Sequence, residues 1–76
     1  MILKIGQVLN LQTSVRPNIG EGVYILLSPP TGPLVRLCLA GEDETGDVCR
    51  TEEIVEVAPG DLRFFEPIPT LPLIDT

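Results

Sequence analysis

The side chains able to do chemistry are few and scattered. Histidine is absent, which removes the usual general base and the commonest transition-metal ligand together. Cys38 and Cys49 therefore lack an imidazole to activate either thiol as a nucleophile. Two sulfurs also fall short of a structural zinc site, which takes four ligands. On paired strands the two cysteines could face each other. The opening Met1-Ile2-Leu3-Lys4 lacks the layout of a secretory leader, so buried thiols are favoured over a disulfide.

The densest charge lies in Gly41-Glu42-Asp43-Glu44-Thr45-Gly46-Asp47. Carboxylate loops suit hard cations, but this spacing lacks the alternating ligands and the later Glu of an EF-hand. Glu44-Thr45-Gly46 has a Glu where an aspartic-protease motif needs Asp. The run reads as a solvated hairpin loop whose acids can meet a basic partner. Glu52, Glu53 and Glu56 follow closely. The partner-binding surface is thus placed on Glu42, Asp43, Glu44, Asp47, Glu52, Glu53 and Glu56.

Arg16, Arg36, Arg50 and Arg63 would each pair with a carboxylate in an acidic domain. Two that converged could instead grip an anionic ligand bidentately. Gly20-Glu21-Gly22 is too short for a dinucleotide fingerprint and opens no helix, so it is a turn. Tyr24, Phe64 and Phe65 belong to a core or an interface. A base-stacking platform would need a basic surround. No catalytic residue, metal site or cofactor follows from this inventory, and no enzyme is expected.

The charge sets the partner class. A net charge of −6 and a pI near 4.3 oppose direct binding to nucleic acid, which rests on Lys and Arg displacing counterions. They equally oppose anionic membrane surfaces. No apolar run approaches the ~20 residues of a spanning helix. The expected location is the cytoplasm, or a host's cytoplasm for a virus-encoded chain.

The elements that must position these residues are short. Pro and Gly punctuate the 76-residue chain and β-branched residues fill the gaps, which is the pattern of strands joined by turns. No window shows helical periodicity of useful length. Ile2 to Leu11 reads as a first strand bent at Gly6. A loop runs from Gln12 to Gly22. Val23 to Ser28 and Leu34 to Ala40 form an antiparallel hairpin around the Ser28–Pro33 turn. Val48 to Val57 is one strand or two, broken near Thr51. Ala58–Asp61 is a tight turn, and Leu62 to Glu66 the last strand. The fold class is all-β, a small antiparallel barrel or curled sheet, SH3-like or related. Residues 1–66 make the domain. Residues 67–76 make an extended Pro-rich arm.

Alternation sends Val23, Ile25 and Leu27 to one face and Tyr24 and Leu26 to the other, so both faces are apolar. A lone antiparallel sheet normally keeps one face in water. Either an extra element covers the second face or another subunit does. The arm is apolar too, through Ile68, Leu71, Leu73 and Ile74. Tyr24, Leu26, Ile68, Leu71, Leu73 and Ile74 are therefore the expected oligomer contact. Pro69-Thr70-Leu71-Pro72 also has bare PxxP spacing, without the flanking basic residue such ligands use.

Three functions lead on these grounds, ahead of a structural subunit of a larger assembly. The first is a non-enzymatic protein-interaction module that self-associates. The second is an acidic inhibitor, for instance virus-encoded, blocking a basic or nucleic-acid-binding partner. The third is a binder or sponge for a small anionic ligand using the arginines.

Overall fold

Runs of aliphatic and β-branched residues between Pro and Gly stops leave little choice but short strands. A computed structural model describes residues 3–12 and 19–68. It places five strands there: β1 Val8–Leu11, β2 Gly22–Leu26, β3 Val35–Glu42, β4 Val48–Val57 and β5 Phe65–Pro67. A 3-10 helix, Pro59–Phe64, links β4 to β5. The strands form one sheet in the order β4-β3-β2-β1-β5, with every neighbouring pair antiparallel.

The sheet is open rather than a closed barrel, with β4 and β5 as its two edges. β5 is only three residues long and ends in Pro67, which has no N–H to give to a ladder. A short strand with a proline is what an edge tolerates.

The central hairpin forms as its pattern predicts. Tyr24, Ile25 and Leu26 oppose Leu39, Cys38 and Leu37. Two other elements differ from expectation. β1 starts at Val8 rather than running through Leu3 and Gly6, because Gly6 takes a positive φ of 92°; Ile2 lies outside the described residues. The Gln7 N–H then donates to the Lys4 carbonyl at 3.0 Å. This turn is open to Gly at no steric cost. The expected last strand from Leu62 is instead the 3-10 helix, and extended backbone resumes only at Phe65. Pro59 sits where its fixed φ and missing N–H suit a helical start. Helical periodicity could not reveal so short an element.

β4 is a single strand with an interrupted ladder. Cys38 opposes Ile54 and Ala40 opposes Arg50. Thr51, Glu52 and Glu53 therefore stand against Leu39 alone. Thr51 Oγ1 donates to the Leu39 carbonyl at 2.6 Å, which satisfies an acceptor that the bulge leaves without a ladder partner. The break expected near Thr51 lies at this bulge.

Both faces of the sheet carry apolar clusters. The larger holds Leu9, Leu11, Ile19, Tyr24, Leu26, Val35, Leu37, Val57 and Phe65, with Leu62 of the 3-10 helix packed against it. The Tyr24 and Phe65 rings meet edge to face, with centroids 5.7 Å apart, a favourable aromatic geometry. The smaller cluster is Val8, Ile25 and Cys38, flanked by Val23, Leu27, Ala40, Val48 and Ile68. All three of its central residues are 0% exposed in a single copy. One chain therefore covers the centre of both faces.

Candidate functional site

The acidic hairpin between β3 and β4 is built by its own side chains. The Gly46 N–H donates to the Asp43 carbonyl at 3.0 Å, closing the turn, and the Asp43 N–H donates to the Asp47 carbonyl at 2.9 Å. Gly46 has a φ of 86°. A tight turn followed by a left-handed residue is a common hairpin connection, with Asp favoured at its start and Gly at its end. Asp43 Oδ1 accepts from the Thr45 N–H at 2.9 Å and the Asp47 N–H at 3.0 Å. The Thr45 hydroxyl lies 2.7 Å from Asp43 Oδ1 and 2.9 Å from Asp47 Oδ2, so its one proton is shared between two carboxylates.

This geometry separates the acids by role. The Thr45 hydroxyl first, then the Asp47 and Thr45 amides, hold the Asp43 carboxyl below its usual pKa. Hydrogen bonds to the charged form have that sign. Asp43 and Asp47 are thus turn formers as much as surface charge. Glu42 and Glu44 lie exposed beside them, and Glu52, Glu53 and Glu56 lie exposed along β4. The acidic residues singled out in the sequence therefore fall on one hairpin and the edge strand that leaves it. Arg36 Nε approaches Glu56 Oε2 at 3.7 Å, with both side chains well exposed. Ile54 stands among these acids with 57% of its surface exposed.

Of the residues expected at an oligomer contact, the structure places Tyr24 and Leu26 in the core. Tyr24 and Leu26 are 4% and 0% exposed within the larger cluster, so neither has surface to offer a second copy. The Tyr24 hydroxyl donates to the Gly20 carbonyl at 2.8 Å. Burial raises its pKa above 10.0, and the Glu53 charge raises it further. Ile68 packs against the smaller cluster, and its N–H donates to the Val8 carbonyl at 2.9 Å. Pro67 ends β5, and Ile68 continues alongside β1 on the domain. Leu71, Leu73 and Ile74 lie outside the described residues, as does the Pro69–Pro72 spacing.

The other candidates are not brought together. Cys38 opposes Ile54 and Cys49 opposes Gly41, so the thiols do not face each other, and both are free. Arg36 and Arg50 sit near opposite ends of the β3–β4 pair, opposite Glu56 and Ala40. Four residues of strand separate the two positions by about 13 Å along β3. Arg63 instead lies over the Phe64 ring, 4.8 Å from its centroid, and Arg16 is outside the described residues. Among the described residues no three His, Cys, Asp or Glu side chains could share a metal ion. Nor is any helix there long and apolar enough to cross a membrane.

Sequence reasoning missed two features. Ile19, read as loop, is 1% exposed in the larger cluster. The available signal was an aliphatic side chain in a largely polar loop, which Val15 shares. The exposed Ile54 was read simply as part of a strand, because its exposure depends on β4 lying at the edge. Searches of known protein families, curated proteins and solved structures find no match for this chain.

Proposed function

We propose that the protein is a small non-enzymatic interaction module that engages a basic protein surface through its β3–β4 hairpin and edge strand. The observation that carries this reading is the clustering of exposed acids there: Glu42, Glu44, Glu52, Glu53 and Glu56, with Asp43 and Asp47 in the turn. A strong excess of one sign on one edge, with Arg50 its lone exception on β4, attracts the opposite sign and speeds encounter. Such a contact is also how an acidic inhibitor would occupy a basic site on a nucleic-acid-binding partner.

The order β4-β3-β2-β1-β5, with a 3-10 turn before the last strand, supports an SH3-like arrangement for the module. The exposed setting of the carboxylates supports a binding role over acid–base catalysis. A heterotypic partner is favoured over self-association, since copies carrying −6 each repel and the two cluster centres are already covered.

Capture from cell extract tests the reading, comparing the native chain with a Glu52→Lys, Glu53→Lys, Glu56→Lys variant. Basic proteins should be retained by the native chain, lost from the variant, and released at about 0.5 M salt, where charges are screened within ~5 Å. A partner that survives both the reversal and the salt would refute the charge-led contact.

A further inference from the structure

We infer that the segment from Ile54 to Val57 accepts an extended peptide of basic-x-apolar-x-basic pattern as an added strand. This deepens the function proposed above and rests on it. An edge strand turns alternate N–H and C=O groups to its open side, where an extended chain can pair with them. Among the described residues β4 has β3 on one side and no neighbour on the other. The bulge at Thr51–Glu53 divides that edge. Past it the ladder runs regularly, from Ile54 opposite Cys38 to Val57 opposite Val35.

The side chains on this stretch select the occupant. Ile54 is more than half exposed although its cross-strand neighbour Cys38 is fully buried. It can therefore extend the apolar centre of that face outward beneath an added residue. Glu56 shares the face two positions along, and Glu52 sits in the bulge on the other side. Charges on an edge commonly guard against unwanted pairing, but a guard alone has no use for a bare isoleucine at its centre. Here the guard has one sign. It repels a second copy of this acidic chain and admits a strand bearing Lys or Arg on either side of an apolar residue. Arg36 reaches Glu56 at only 3.7 Å on open surface, a contact weak enough for a ligand cation to replace.

The test is an amide NMR titration with the blocked peptide Thr-Lys-Thr-Val-Thr-Lys-Thr. Versions N-methylated at alternate residues in either register keep the charge and lose the ladder donors. The parent peptide should shift the amides of Ile54, Val55, Glu56 and Val57, and at least one methylated version should not. Ile54→Ser, at an exposed position that leaves the fold intact, should weaken binding about tenfold, the factor that follows from losing roughly one apolar contact. If the methylated peptides bind as well as the parent, or Ile54→Ser changes nothing, strand addition is wrong while the acidic surface still stands. If none of the peptides shifts any amide, the strand proposal and the charge-led function fall together.

Discussion

Ile25→Ala tests whether one copy of the chain truly hides the second face of its sheet. Ile25 is 0% exposed at the centre of the smaller cluster, between Val8 on β1 and Cys38 on β3. The substitution deletes three buried carbons, worth about 0.8 kcal/mol each in transfer alone. A residual cavity adds to that, giving a loss of about 3 kcal/mol. For a chain of 76 residues each kcal/mol moves the melting temperature by about 6 °C, so Tm should fall by nearly 20 °C. Total stability for this length is only about 4–11 kcal/mol, so Ile25→Val, at about 1 kcal/mol, is the milder companion. Urea unfolding at several protein concentrations reads both. If a second copy provided the cover, the midpoint would rise with concentration. A concentration-dependent midpoint, or a loss below about 1 kcal/mol for Ile25→Ala, would refute the single-chain burial.

Two further outcomes follow from the polar contacts. Tyr24→Phe removes the hydroxyl that donates to the Gly20 carbonyl and should cost about 1 kcal/mol. Because the folded pKa of Tyr24 lies above its unfolded value, the folded state holds the proton longer. The native chain should therefore lose stability as pH rises above about 10, and the Phe variant should lose less over that range in alkaline denaturation. Asp43→Ala deletes the acceptor of the Thr45 and Asp47 amides, so hydrogen exchange at those two amides should accelerate while exchange at Ile25 does not. With the carboxyl of Asp43 held below its usual pKa, the turn should keep its protection at neutral pH. It should lose that protection as acid titrates Asp43 through its lowered folded value, and unchanged exchange would show that the carboxylate does not organise the turn.

Much of the local structure was legible because its causes are local. Asp43, Thr45, Gly46 and Asp47 carry the donors, acceptors and backbone freedom of their own turn within a few residues. The alternation in Val23-Tyr24-Ile25-Leu26-Leu27 sorts side chains between two faces whatever lies beyond, and the observed clusters divide those residues as the alternation does. The acidic surface was readable for a related reason: charged side chains on a small domain have few places but the outside. Arginine convergence was not readable. It depends on the register that sets Arg36 against Glu56 and Ala40 against Arg50.

The amino-acid order by itself determined an all-β chain, the two-faced apolar strands and the acidic turn, and it marked Thr51 as a place where β4 could break. Only the tertiary structure decided that Tyr24 and Leu26 lie in the core, that Ile19 joins them, and that Leu62–Phe64 finish a 3-10 helix. It alone decided that β4 is an edge with Ile54 bare. Periodicity and turn chemistry act between near neighbours. Burial and edge position depend on which distant segments come to lie side by side, and no single segment carries that information.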